Sequence, residues 1–462
     1  MNKTLLALGL SLAFAGAASA TTITPVNMDP AGSGLNDPTA AAPVGGNPGI
    51  TVGQQRQIAY QFAADLWELI LDSNVETRVQ ASFTGLTCTA SSAVLGSAGT
   101  KTVWSDFTNG VPDTWYGNAL ANALAGSDLS SGADDDNEIN SRFNANLGQS
   151  NCLAGSGWYY GLDGNTPSGQ ISFLDVVMHE IGHGLNFQGF YSLSTGAPFL
   201  GVPDIYSRNV LDGTTGIAWT DLTDAQRVTA AIGNNLVWTG ANVTAEAPAV
   251  LGPYLQLNVL LANRPAVFEM VTASYGPVAD AASFAGGQIV RAKDPGASTS
   301  LGCSAFPAGA YTGKTVLMDR GVCAFTVKSL NAQNAGATKV IIANNAATGF
   351  PGMGGTDPAV TIPSIGITQA AGNVIRKSIP LGVHGALLAK PGQFAGSDSS
   401  GRVRLYAPNP VAGGSSFSHF DVSLTPNALM EPFINDSLNS ALELDLTPAL
   451  YEDLGWKMQP LP

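Results

Sequence analysis

Between Gln54 and Leu71 apolar residues recur at helical spacing, and Ile58, Phe62, Leu66, Leu69 and Ile70 fall on one face, which predicts an amphipathic helix. The period then changes. Val75, Thr77, Val79 and Ala81 alternate with Glu76, Arg78 and Gln80, which predicts a half-buried strand. Residues 21–50 are rich in Gly, Pro, Asn and Ala and predict irregular structure with one short strand; 84–170 reads as short elements broken by Gly and Asn. The sharpest start is Ser172-Phe-Leu-Asp175, spaced as a capping box in which Ser172 satisfies a free N–H and Asp175 reaches back. Phe173, Leu174, Val177, Ile181 and Leu185 then predict a largely buried helix, with Gly184 and Asn186 as its stop signals. From about 265 to 392 short β-type runs, such as Thr315-Val-Leu-Met318 and Lys339-Val-Ile-Ile342, alternate with Gly and Ala turns. A Gly/Ser stretch after 393 leads to a last helix, with Thr447 as N-cap, Pro448 in its first turn and Gly455 just past its end.

Composition narrows the class. A chain of 462 residues has room for roughly two to four domains. Charged residues make up only 12% and there are 54 glycines, which points to a loop-rich globular protein with many strands. A net charge of −14 excludes a nucleic-acid partner, which needs a Lys/Arg surface. The densest acidic run, Asp134-Asp-Asp-Asn-Glu138, lacks EF-hand spacing and reads as a solvated loop, so nothing supports calcium (Ca2+) as a second metal. Lys3, the apolar run Leu5 to Phe14 and the small residues Ala18-Ser19-Ala20 read as a secretory signal cleaved near Ala20, which implies a secreted or periplasmic protein without a further membrane anchor. Four cysteines in an exported chain suggest two disulfides, and four allow three connectivities. Proximity favours Cys303–Cys323, which leaves Cys88–Cys152.

The chemistry concentrates in Val176-Val-Met-His-Glu-Ile-Gly-His-Gly-Leu-Asn-Phe187. On a helix, residues four apart project from one face, so His179 and His183 can meet one zinc ion (Zn2+), with Glu180 beside them as a general base for a metal-activated water. Two histidines and a glutamate without partners would be costly on a buried helix, which favours a metal over ordinary core histidines. The third ligand is not in the motif. No Glu occurs between Glu180 and Glu246, which removes a glutamate on the next helix, and Gly189 stands where a compact HExxHxxGxxH motif would place its third His. Asp204 is an oxygen ligand without supporting context. Only His384, in the β-rich middle segment, and His419, in Ser415-Ser-Phe-Ser-His-Phe-Asp421, remain.

An HExxH helix followed at long range by a His and then by Met430, in Asn427-Ala-Leu-Met-Glu-Pro432, resembles the leishmanolysin-like branch of the metzincin metalloproteases. The resemblance implies that His179, His183 and His419 bind zinc and that Glu180 is the general base. It also implies that Met430 forms the Met-turn floor under the metal, leaving His384 a structural residue. Asp175 and Asp421 are then candidates to orient the ligating histidines. A second resemblance lies between the ligands. Thr312-Gly-Lys-Thr-Val-Leu-Met-Asp-Arg-Gly-Val-Cys-Ala-Phe-Thr-Val-Lys328, Asn331-Ala-Gln-Asn-Ala-Gly-Ala337, Val340-Ile-Ile-Ala-Asn-Asn345 and Ile362-Pro-Ser-Ile-Gly-Ile367 look like a protease-associated (PA) domain. That α/β module is inserted in several unrelated secreted peptidases. It is consistent with a Cys303–Cys323 bridge, a turn at Asp319-Arg320-Gly321 and a small helix from Ala332 to Ala337.

Together these imply an α+β chain whose metzincin-like zinc protease domain is discontinuous. The parts are a signal peptide at 1–20, a first metalloprotease part at 21–262, an inserted PA domain at 263–393 and a second metalloprotease part at 394–462. The function implied is a secreted zinc endopeptidase acting on protein or peptide substrates. The alternative is a non-catalytic secreted zinc-containing binding or adhesion protein. A serine hydrolase, which can also carry a PA domain, lacks its Gly-x-Ser-x-Gly elbow here.

Overall fold

In the computed structural model, which describes residues 21–130, 137–434 and 445–460, the chain forms two compact units. One runs to Gly252 and resumes at Phe394; the other is Pro253–Gln393. The signal segment and Asp134 to Asp136 lie outside the described residues. Glu138 is not a solvated loop residue: it is buried and accepts from Arg78 N at 2.6 Å and Asn122 Nδ2 at 3.2 Å.

The first unit is built on a four-stranded sheet. β1 (Ile23–Asn27) and β2 (Thr77–Thr84) run parallel, and β3 (Gly96–Thr100) and β4 (Ile139–Asn144) complete the order β1-β2-β4-β3. β4 is parallel to β2, and β3 is antiparallel to β4 as the outer strand. The alternation predicted from Val75 holds from Thr77 onward, with Thr77, Val79, Ala81 and Phe83 buried.

Thr51 starts α1 (Val52–Glu68) by accepting from Gln54 N at its side chain. Its buried face differs from the one that the large apolar residues mark. Ala59, Tyr60, Ala63, Ala64 and Trp67 are buried, while Ile58, Phe62 and Leu66 are half-buried at the flanks and Leu69 is exposed. Alanines allow a short interaxial distance, so the helix turns its small residues toward its neighbour and leaves the large ones to seal the margins.

That neighbour is α2 (Phe173–Gly184), whose first turn is capped by Ser172 Oγ accepting from Asp175 N at 3.2 Å. Side chains from distant segments pin its backbone. Trp67 Nε1 donates to Met178 O at 3.1 Å, Tyr451 Oη to Gly182 O at 2.7 Å, and Trp456 Nε1 to Leu185 O at 2.9 Å. Asn186, with φ +91°, ends the helix in the left-handed region, and its Oδ1 accepts from Gly117 N at 2.5 Å. Gly184 is the last helical residue and serves packing instead, because a Cβ there would lie 2.3 Å from Ile139 Cγ2 of β4.

The returning segment ends in α3 (Thr447–Leu454). Thr447 is not its cap: it is the first helical residue, and its N–H donates to Asp445 Oδ1 at 2.7 Å. Gly455 closes the helix at φ +109°.

The second unit carries an eight-stranded sheet. Its central strands, Gly287–Arg291, Thr315–Asp319, Lys339–Ala343 and Ser364–Ile367, are all parallel. Alternate residues of these strands feed two cores. Leu317, Ile341 and Ile365 pack with the helix Gln369–Ser378, and Val316, Met318, Val340 and Ile342 pack with the helix Phe325–Asn334. Burial on both faces explains why these strands read as unbroken apolar runs. The helix expected from Ala332 lies earlier; Gly336, at φ +90°, belongs to its exit. Strand Pro253–Leu261 pairs with Arg264–Phe268 inside this unit, so the unit begins before residue 263. Each unit holds one disulfide, Cys88–Cys152 in the first and Cys303–Cys323 in the second, and no cysteine is free.

The fold predicts that Gly184→Val overpacks the contact with Ile139. It should lower the unfolding free energy in urea by about 1–3 kcal/mol. Adding Ile139→Ala to that variant should recover part of the loss.

Candidate metal centre

The helical spacing of α2 brings His179 and His183 to one side, and the returning segment brings His419 to meet them. Nε2 of His183 lies 3.0 Å from that of His179 and 3.2 Å from that of His419, and the remaining pair is also 3.2 Å apart. Each ring is oriented by its other nitrogen. Nδ1 of His179 meets Leu429 O at 2.7 Å, that of His183 meets Phe187 O at 2.9 Å, and that of His419 meets Ser415 O at 2.7 Å. A carbonyl only accepts, so each Nδ1 carries the proton and donates. All three Nε2 atoms are then bare lone pairs, and their close approach is not hydrogen bonding.

A cation resolves that convergence. Two nitrogens each about 2.0–2.1 Å from one ion at the tetrahedral angle lie about 3.3–3.4 Å apart, close to the spacing present here. Burial holds all three imidazoles below their ordinary pKa, His183 down to about 3, with His179 adding to the effect on His183. They are neutral at neutral pH, the form that binds a metal. Among the described residues this is the one group of three or more His, Cys, Asp or Glu side chains that could hold an ion.

Glu180 is buried beside the histidines, and burial pushes its carboxyl up to about 8, partly offset by the Ala98 N–H that it accepts from β3. A nearby cation favours its ionised form. Room for it depends on Gly96, where a Cβ would lie 2.4 Å from Glu180 Oε1. Met430 is fully buried, and a Cβ on Gly182 would sit 2.7 Å from its Sδ. The thioether thus packs on the helix between the two histidines, where a larger residue would exclude it.

Other candidates fall elsewhere. Asp204 is a buried loop anchor that accepts from Phe190 N at 2.8 Å and from Ser207 N and Oγ at 2.7 Å each. His384 is exposed on a strand of the second unit, opposite Gln288. Asp421 accepts from Ser423 N and Oγ, and the Asp175 N–H donates to the Ser172 cap, while backbone carbonyls take the Nδ1 of each of His179, His183 and His419. Those carbonyls leave no trace in side-chain identity. Asp445 is a further omission: its Oδ2 accepts from Leu429 N at 2.5 Å, tying α3 to the turn whose carbonyl orients His179. Its place two residues before Thr447-Pro448 was the available signal.

Residues 285–375 match the family model described as the PA domain, so the chain carries a PA domain within a mixed α+β architecture. A curated relative, leucine aminopeptidase 2 of Arthroderma otae, is 37% identical over 112 residues, which are 24% of this chain and 20% of that protein. The chain therefore spans about a fifth of that relative's length. Among solved structures, a zinc aminopeptidase from Bacillus subtilis is similar at 20% identity over 32% of this chain and 36% of that chain, with a TM-score of 0.23. The subtilisin-like protease Apa1 from Pseudoalteromonas sp. AS-11 is similar at 17% identity over 30% of this chain and 34% of that chain, also at 0.23. Likenesses this slight carry nothing about the histidine-bearing unit.

Two measurements test the centre. His419→Ala should weaken zinc binding by more than the about 10–100-fold that loss of an outer partner costs, read by metal analysis after dialysis, while His384→Ala keeps its zinc. Burial raises Glu431 from its ordinary 4.5 to about 8. A raised carboxyl takes up a proton on folding, so its contribution is intact at low pH and is lost as pH climbs from about 4.5 to about 8. Glu431→Gln should remove that decline in a comparison of urea midpoints across this window.

Proposed function

We propose that this protein is an exported zinc-dependent endopeptidase, with zinc held by His179, His183 and His419 and with Glu180 as general base. The observation that carries the proposal is the set of three Nε2 lone pairs within 3.2 Å of one another, beside a buried carboxylate. Three nitrogen ligands leave a fourth position for water or substrate, the arrangement of catalytic rather than closed structural zinc sites. Zinc bound there supplies a Lewis acid and brings the pKa of a water to about 7.

The residues of the chain do the rest. Glu180 takes a proton from the attacking water at its carboxylate and passes it to the leaving amine. The Ala98 N–H and the gap at Gly96 fix where that carboxylate stands. Met430 closes the floor with apolar surface, which keeps water from the protein side of the ligands. β3 supplies a place for the substrate. Ser97 and Gly99 pair with Arg142 and Asn140 of β4 in an alternating antiparallel ladder, so Gly96, Ala98 and Thr100 turn their backbone groups to the outer edge, where the Ala98 N–H is taken by Glu180. An extended peptide can add to such an edge, and a chain that runs past the carboxylate on both sides suits internal cleavage. The PA domain is compatible with this role, as are two disulfides, which belong to an oxidising compartment.

Glu180→Gln should reduce casein or gelatin hydrolysis by about 10²–10⁴-fold while zinc content stays at the wild-type value. Equal hydrolysis by wild type and variant would overturn the proposal. A wild-type protein that binds zinc but cleaves nothing would favour a binding protein that uses the metal structurally.

A further inference from the structure

The two disulfides sit in different surroundings. In the first unit Cys152 is fully buried, and its Sγ accepts from a neutral donor, Asn144 Nδ2, at 3.5 Å. In the second unit Cys303 and Cys323 are both half-buried, with Ser304, Val322 and Ala324 exposed beside them. Nζ of Lys328 stands 3.6 Å from Cys303 Sγ, and Lys328 is fully buried. A lysine is almost never buried without partners. Here Nζ also donates to Leu301 O and, at 2.8 Å, to Gly321 O. Burial lowers its pKa, while Asp294 and Asp319 favour the charged form.

Lys328 therefore ties together the same two loops that the disulfide joins, through the carbonyls of Leu301 before Cys303 and Gly321 before Cys323. The Cys303 loop has further anchors. Asp294 accepts from Leu301 N and Gly302 N at 2.7 Å each, and Asn331 Nδ2 donates to Gly302 O at 2.9 Å. None of these bonds needs the S–S bond, so with the bridge open both sulfurs stay close and can rejoin. The ammonium also changes the open form. A cation beside a thiol favours the thiolate, which leaves more readily and stabilises the reduced pair. Val322 works in the same direction: it is 88% exposed and held at φ +72°, a conformation costly for a β-branched residue. Opening the bridge lets that residue relax.

We propose that Cys303–Cys323 is a reversible thiol-exchange site, at which a small thiol attacks Cys323 and Cys303 leaves beside the Lys328 ammonium. The thiolate of the small thiol bonds to Cys323 Sγ as the S–S bond breaks, and the electron pair of that bond goes to Cys303 Sγ. Cys323 then carries a mixed disulfide. A second thiolate attacks the outer sulfur of that mixed disulfide, releases the two small thiols as their own disulfide, and leaves Cys323 to take a proton from water. In the reverse direction the Cys303 thiolate attacks Cys323 Sγ, expels the small thiol and restores the bridge. Cys88–Cys152, with Cys152 buried against an amide, remains the structural staple. The exchange site lies within the PA domain and does not depend on the reading of the histidine centre.

The test equilibrates the folded full-length protein with mixtures of reduced and oxidised glutathione at neutral pH, then blocks free thiols and maps them by mass spectrometry. Cys303 and Cys323 should be reduced together at ratios that leave Cys88–Cys152 intact. Partly reacted protein should carry glutathione on Cys323 and not on Cys303. Lys328→Met should lower the equilibrium constant for reduction by about tenfold, or about 30 mV for two electrons, and Lys328→Arg, which keeps the cation, should restore most of it. A second measurement needs no variant. In the reduced wild type, the rate of Cys303 alkylation by iodoacetamide should titrate below the ordinary thiol pKa of about 8.5, and that of Cys323 close to it. Reduction of both bridges at one ratio, glutathione on Cys303, an unchanged constant in Lys328→Met, or a Cys303 thiol titrating at about 8.5 overturns the proposal.

Discussion

Three backbone carbonyls, those of Phe187, Ser415 and Leu429, decide what the centre can be. Each takes the Nδ1 proton of one histidine and so fixes its tautomer, leaving Nε2 without hydrogen. Had any one ring been free to rotate, two of them could have shared a proton and settled as an ordinary pair of core histidines. With all three fixed, the lone pairs converge in a buried space, an arrangement that could hold a cation. The capacity of the group to hold a metal thus lies as much in the loop backbones as in the imidazoles.

The rest of the first unit holds those carbonyls still. α2 is gripped through its own main chain by Trp67, Tyr451 and Trp456, donors drawn from α1, α3 and the segment after it. Two glycines let other elements approach the same helix, Met430 at Gly182 and Ile139 at Gly184. Asp445 completes the frame by joining the start of α3 to Leu429 N, so the turn that orients His179 is anchored to a helix that also grips Gly182.

Burial imposes an electrostatic cost that the same frame manages. Glu180, Glu431 and Asp445 all have carboxyls raised by burial, and each is eased by a backbone N–H from Ala98, Ala428, and Leu429 and Thr447 respectively. Such burial favours the neutral form of each carboxyl, which the backbone N–H groups only partly offset. Glu180 differs from the other two in meeting the outer strand, at the Ala98 N–H.

Much of this was legible in the residues alone. Ser172 capped the helix that its spacing announced, and the period-two alternation after Val75 became β2. Both are local: a hydroxyl beside a free N–H, and one side chain in two facing the core. The two histidines four apart and the glutamate between them are equally local, because helical geometry alone puts them on one side. His419 and Met430 could be named from a resemblance, but only the fold brings them to α2. The buried face of α1 was misread because the choice between alanines and larger residues depends on how closely a neighbour approaches. The carbonyls at Phe187, Ser415 and Leu429 and the gap at Gly96 were invisible for a related reason. A carbonyl is present at every residue, and an absent side chain means nothing until something stands opposite it. The sequence determined which groups could do chemistry, and the tertiary structure decided which of them meet, because distance and hydrogen-bond direction exist only once the chain has closed.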